Sequence, residues 1–439
     1  MNAQPHYQPP ILWSVVQEHL DEAAFFWRQR ERDLRAPDHG LADLAEGDER
    51  RLLAHVEGLR VAGPRVAERL LAPALAEDGG PVRAVAAYTL LTSDVARWGE
   101  FVLCVLREAS LEERTWVGQA LALSSSAQVV PLLRDTLLEA EPGLGASVLD
   151  ILRVRQADLT SLLERTPLAN PPELLAASIR ASRYASAQVL TTRVHQGLAS
   201  PDARCRDAAI EVGLARGHLA AMEACRRSIA GGACGRTVLT ALAMSGDRRA
   251  VARLLAELEK PGRRAEALWA LGVSGRSEAL EALLQRVISE ADPLAAESFR
   301  LITGIPLAVS LEPAEEEAAE VPAVSDGEPS FLPGPVVPPG RVRVEAIQRW
   351  WHEARSRFPA GGRYLWGRCW TPEAALQALL EVPVTRRPAL AWELAVRSSG
   401  ACRVETGLWA WLQVRQLQAA RALRMEPGGR TFEAMLASA

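Results

Sequence analysis

Apolar positions along this chain fall at three- and four-residue steps, the spacing of one helix face. From Ile11 to Arg35 the pattern sets Leu12, Val16, Leu20, Ala23 and Trp27 on one side, and Pro37 and Gly40 stop it. A second helix, starting at Leu41 or Asp48 and running to Leu59, carries Leu52, Leu53, Val56 and Leu59 on a face. Gly63–Pro64 breaks it, and a third runs to about Ala76. Between Pro81 and Ile305 apolar stretches alternate with punctuation such as Pro142–Gly143, Pro171–Pro172, Pro201, Gly231–Gly232 and Pro261–Gly262. The gaps leave helices of about 10–14 residues, the usual length of a helix in a hairpin.

A longer period overlies the short one. Gly217, Gly246 and Gly275 are spaced 29 residues apart, and the residues around them match. Ile210, Leu239 and Leu268 share one slot, Val212, Ala241 and Ala270 a second, and Met222, Val251 and Leu280 a third. A fixed period in this range marks a stacked array in which each helix pair buries its face on the next. The repeat is cleanest over 205–290 and blurred over 81–200. Ser298–Gly304 reads as the same motif shortened by two residues, with Phe299 and Ile302 in the apolar slots. An atypical last unit is what a terminal cap requires.

Residues 307–340 change character. Residues 311–330 hold seven acids and no base, and P-G-P-V-V-P-P-G follows. Such a stretch reads as an extended tether. Beyond it lies a basic segment with seven of the twelve tryptophans and four expected helices, near 342–357, 372–381, 386–398 and 406–423. Thr371-Pro372-Glu373 is a helix-start signal. The expected fold is therefore all-α: an N-terminal helical unit (1–80), a solenoid of helix pairs (81–306), an acidic linker (307–340) and a small Trp-rich domain (341–439).

Composition narrows the classes. Net charge is −4 and aromatics are 5% of residues. Six cysteines lack C-x-x-C spacing, so buried thiols in a reducing compartment are expected rather than a disulfide framework or a metal site. No secretion signal or membrane span is visible, so a cytoplasmic location without a bound cofactor is expected.

The unit A-L-x-A-L-G-x-x-G-x-x-x-A-L-x-x-L-L, seen from Ala267 to Leu284, resembles the short HEAT-like repeats of phycobilin-lyase type. Leu12-Trp13-x-x-Val16 with His19, Leu52-Leu-Ala-His55-x-x-Gly58, Phe299-Arg-x-Ile302-Thr-Gly304 and Arg363-Tyr-Leu365-x-Gly367 extend the likeness over the chain. On these motifs it resembles an uncharacterised proteobacterial family of HEAT-repeat proteins. The resemblance implies an association with type VI secretion components, and no reaction.

Candidate chemistry is sparse. There is no G-x-S-x-G elbow, Walker loop or H-E-x-x-H. Of the arginine clusters Arg204/Arg206, Arg226/Arg227, Arg248/Arg249 and Arg263/Arg264 several recur at roughly the repeat period, and a basic stripe on one face, with Arg226, Arg227, Arg248 and Arg249 as its binding residues, would hold phosphates or an acidic protein. Arg363, Tyr364 and Trp366 sit in a loop before a helix start, a place to present aromatics to a partner. The acidic linker beside the basic C-terminal segment suggests masking of one by the other. The expected function is non-catalytic protein binding, an adaptor. Nucleic-acid binding through the arginines and a lyase-like enzyme are the alternatives.

Overall fold

The computed structural model describes residues 10–425 apart from 78, 166–170, 233, 247, 261, 313–331, 333, 339 and 424. The acidic segment proposed to mask the C-terminal residues lies outside the described residues. Those that are described form an all-α protein, with two short antiparallel strand pairs. None of their helices is long and apolar enough to cross a membrane. The chain divides into two compact units, residues 1–31 with 45–155 and residues 32–44 with 156–439. This grouping cuts across the four segments suggested by composition.

The first unit is built on helix α1 (Trp13–Asp33), which buries Val16, Leu20, Ala23 and Trp27 as the spacing predicts. Leu12 precedes the helix and is 66% exposed, so the stripe begins one turn later than the pattern suggests. Trp27 is fully buried, and its indole Nε1 donates to Gln119 Oε1 at 2.9 Å. Arg30 and Glu49, both buried, pair at 2.8 Å and join α1 to α2 (Asp48–Val61). Leu41 and Asp48 both start helices, because a short turn Leu41–Glu46 precedes α2. Then come α3 (Gly80–Ser93), α4 (Val95–Glu108), α5 (Leu111–Leu123), α6 (Val129–Glu139) and α7 (Pro142–Val154). Helix α3 packs on α5, and α5 on α7. Their starts follow local chemistry: Asp94 accepts from the Arg97 amide, Ser110 and Glu113 form a capping box, and Pro142 opens α7.

The second unit carries the repeat. Its helices are α8 (Pro172–Ala181), α9 (Ala187–Leu198), α10 (Ala203–Ala215), α11 (Leu219–Ala230), α12 (Arg236–Met244), α13 (Arg248–Leu258), α14 (Arg264–Ser274), α15 (Ser277–Glu290) and α16 (Pro293–Thr303). Helices α8, α10, α12, α14 and α16 pack successively on one another, and each is buried on nearly every side. The alternate helices α9, α11, α13 and α15 each pack on these and bury one face only. That division explains the sequence. In α14 every residue from Ala267 to Ser274 is buried, whereas α13 shows a narrow stripe of Ala250, Val251, Leu254 and Leu258.

The glycine corners turn one row into the other. Gly217, Gly246, Gly275 and Gly304 have φ of 68, 67, 66 and 67°. This left-handed conformation disfavours side chains, so glycine recurs here for a backbone reason. Gly304 lies 29 residues after Gly275 with the same backbone, so the last unit is not shortened at its corner as its sequence suggests.

Leu311 and Glu312, just before the undescribed residues 313–331, form an antiparallel strand pair with Arg341 and Val342. Beyond them lie α17 (Val344–Ala354), a tight hairpin pairing Tyr364–Leu365 with Arg368–Cys369, α18 (Pro372–Glu381), α19 (Arg387–Arg397) and α20 (Ala410–Ala420). The Thr371 hydroxyl accepts from the Ala374 amide at 3.1 Å, so the helix start read from Thr371-Pro372-Glu373 forms.

Candidate interaction face

The four glycine corners bring the carboxyl ends of α10, α12, α14 and α16 to one edge of the second unit. Each helix end exposes carbonyls without helical partners and the negative end of a helix dipole. Residues 361–400 lie along this edge and donate to carbonyls at the ends of α12, α14 and α16.

Backbone pairing comes first. The amides of Trp366 and Gly367 donate to the carbonyls of Leu301 and Ile302 at 2.8 and 3.0 Å. The Tyr364 amide donates to the Gly275 carbonyl at 2.7 Å, and Ser277 N donates to Gly362 O at 3.1 Å. A Cβ on Gly304 would stand 2.9 Å from the Trp366 backbone, and one on Gly275 would overlap the Tyr364 carbonyl. Gly275 and Gly304 therefore need glycine twice over, for conformation and for this approach.

Arginines supply the second layer. Arg363 Nε donates to Ser274 O at 2.8 Å, while its terminal nitrogens fork onto Glu393 at 2.7 and 3.0 Å. Arg397 Nε donates to Glu393 Oε1 at 2.8 Å, and its Nη2 donates to Met244 O at 2.9 Å. Trp370 stacks with both guanidiniums, at 4.4 and 4.2 Å from its ring centre. A parallel cluster joins Arg386 to both carboxylate oxygens of Glu297, to Trp269 O at 2.8 Å and to Ser298 Oγ at 2.7 Å. Its guanidinium also lies 3.5 Å from the centre of the Trp269 ring. Trp392 is buried, and its Nε1 donates to Glu211 O at 3.0 Å.

Burial pushes the Arg363 pKa down while Glu393 opposes the shift. Burial alone would raise the Glu393 carboxyl, but Arg363 and Arg397 overcome it and hold it below the usual range.

The sequence-predicted residues separate. Arg363 and Tyr364 are turned inward, and Tyr364 is 4% exposed. Trp366 is half-buried beneath Arg300, whose guanidinium lies 4.9 Å from its ring centre. The other four arginines lie on α11 and α13. Arg226 and Arg227 end α11, whereas Arg248 and Arg249 begin α13. The equivalents of Arg226 and Arg227 one repeat on are Leu255 and Ala256, seven residues beyond Arg248 and Arg249. Seven helical residues span about 10 Å, so the pairs lie at opposite ends of equivalent helices and not in one stripe. Arg226 pairs with Glu223 at 3.0 Å and Arg248 with Glu278 at 2.9 Å; Arg227 and Arg249 are exposed.

Sequence reasoning missed Glu297, Glu393, Arg386 and Arg397, the residues that close the edge. Their only sequence signal is acid or arginine at a position where the helix pattern predicts burial. Among the described residues no group of three or more His, Cys, Asp or Glu is placed to hold a metal. A cavity of about 230 Å³ opens beside Leu239, Arg253, Glu257 and Lys260 and includes Cys234. Burial raises the Cys234 pKa, which leaves a poor nucleophile.

Comparison with known proteins adds no family: no protein-family model matches the chain, and no curated protein matches it. Among solved structures, human deoxyhypusine hydroxylase in complex with glycerol aligns over 66% of this chain and 97% of its own. The identity is 19% and the TM-score 0.24, a likeness that carries no argument.

Proposed function

We propose that the chain is a non-catalytic protein-binding scaffold, a HEAT-like solenoid whose glycine edge is closed in cis and whose outer helices receive an acidic protein. The observation that carries this reading is the occupancy of the edge: the ends of α12, α14 and α16 take residues 361–400 through carbonyls and buried arginines. With that edge consumed, the regular surface left is the row of α9, α11, α13 and α15. Such a row offers interface area without a pocket. Residues 180–300 hold 18 bases against 13 acids, which favours an acidic partner. In the cytoplasmic secretion setting that the resemblance implies, that partner is an effector or assembly component.

The test is capture of partners by the intact chain, beside the variant R226E/R227E/R248E/R249E. Retention should fall with ionic strength, and the charge-reversed variant should lose it by about tenfold or more. Unchanged retention would reject the outer row. Retention of DNA or RNA in place of protein, with a steep salt dependence, would move the reading to nucleic acid.

A further inference from the structure

A third arginine cluster lies in the second unit, where α8 and α10 end. The residue before the glycine corner is Ser245, Ser274 or Thr303 after α12, α14 and α16, but Arg216 after α10. Arg183 stands in the turn that follows α8. Arg216 Nη1 donates to Arg183 O, which joins the two helix ends. The loop after α19 adds Arg403. The guanidiniums of Arg183 and Arg403 lie 5.7 and 5.5 Å from the centre of the same Tyr184 ring.

The convergence is built into the backbone. Ser399 and Gly400 take left-handed φ values of 49 and 86°, which turn the chain back over α10. A Cβ on Gly400 would stand 2.5 Å from Arg216 Cδ, so glycine lets the loop cross this side chain. Gln156 Nε2 donates to Arg403 O at 3.2 Å and holds the loop from its far side in sequence. Arg183 is 4% exposed, Arg216 half-buried and Arg403 exposed, so the cluster runs from the core to the surface.

Negative charge is what it lacks. Each of the other two clusters encloses a buried carboxylate: Glu393 between Arg363 and Arg397, and Glu297 against Arg386. Among the described residues no ion pair joins Arg216 or Arg403 to a carboxylate. Burial lowers the Arg216 pKa, and Arg403 and Arg183 lower it further, with no acid acting the other way. Glu405, two residues past Arg403, is buried and is not among the charges that act on Arg216. The carboxyl ends of α8 and α10 supply about half a negative charge each, a sum of about one against the two positive charges of Arg216 and Arg403.

We infer that Arg216 and Arg403, with Arg183 at their base, form a binding site for a phosphate-class oxyanion, either inorganic phosphate or the phosphomonoester end of a small molecule. Guanidinium forks match the oxygens of such a group with paired hydrogen bonds. The bound anion supplies the charge that Glu393 and Glu297 supply further along the edge, and it ties the 399–403 loop to the ends of α8 and α10.

The experiment is calorimetric titration of the intact chain with inorganic phosphate and, in a parallel arm, glycerol phosphate. Thermal melts are run beside it, with sodium chloride at matched ionic strength as the control. One anion per chain should bind, and phosphate should raise Tm where chloride does not. R403Q, at an exposed position that should not disturb folding, should weaken binding by about tenfold or more, as should R216Q. R403K, which keeps the charge and loses the fork, should fall between. R349Q removes the same charge from the exposed face of α17 and should bind as the unaltered chain does. Tighter binding of glycerol phosphate would make an organic ester the source, and tighter binding of inorganic phosphate the free anion; both support the site. A Tm rise no larger than chloride gives, an affinity unchanged in R403Q and R216Q, or an equal loss in R349Q would overturn it.

Discussion

At the scale of single residues, the edge depends on buried charges that have no water to fall back on. Glu393 serves Arg363 and Arg397 together, so Glu393→Gln leaves two cations short of a counter-charge. Breaking a buried pair from one side costs about 3–5 kcal/mol, and urea unfolding should show a loss of that order. The pH response follows the same sign. The Glu393 carboxyl is held below its ordinary 4.5, so its contribution is present above that value and lost as pH falls through the lower folded value. His39 works in the other direction. Its hydrogen bond to Asp38, 2.9 Å long, raises its pKa from 6.5 to about 8 despite partial burial. That stabilisation is complete below 6.5 and lost as pH rises through about 8. Asp38→Asn should flatten the alkaline part of the stability profile, measured by thermal melts between pH 6 and 9.

At the scale of elements, the glycine corners were legible and their partners were not. Period and residue type announced Gly217, Gly246 and Gly275 because a left-handed corner restricts the local backbone, and local restrictions print themselves in sequence. What each corner touches depends on chain some 60–180 residues away. Gly275 meets the Tyr364 carbonyl, whereas a Cβ on Gly217 would find its nearest neighbour, Ser399 Oγ, at 3.6 Å. Both replacements carry the left-handed cost of about 1–2 kcal/mol. Gly275→Ala must also push away the strand at Tyr364, so its loss of stability should exceed that of Gly217→Ala in parallel denaturant titrations. Limited proteolysis around 361–370 should accelerate only in the first.

The arginines teach the same lesson from the opposite side. Arg363 was singled out as a partner-facing residue because a loop between Gly362 and Thr371 usually faces solvent. It turns inward because Ser274 O and Glu393 together form a complete acceptor set for a guanidinium. Periodicity suggested a basic stripe, yet the period that counts is residue by residue. A seven-residue offset moves an arginine to the other end of its helix.

At the scale of the whole molecule, residues 341–423 contribute to the packing of the repeat helices before them. Removal of everything after residue 307 would leave Glu297 buried without Arg386 and the carbonyls of Met244 and Ser274 without their donors. It would also bare Trp269, which Arg386 covers, and Phe299, on which Trp350 and Trp351 pack. A chain ending there should aggregate or lose cooperative melting, as size-exclusion chromatography and circular dichroism would show. The same chain with residues 341–425 supplied as a separate polypeptide should recover part of its order, because the contacts are many and non-covalent.

Helix content, helix starts and the 29-residue spacing followed from the amino acids alone, since each is a contest between a few neighbouring residues and water. Only the tertiary structure decided that the repeat's carbonyl edge is filled by the chain's own distant segment, that Arg363 and Arg386 are buried, and that Arg216 meets Arg183. Those outcomes depend on which remote groups share a low-dielectric space, and a linear pattern of polar and apolar residues carries no record of that pairing.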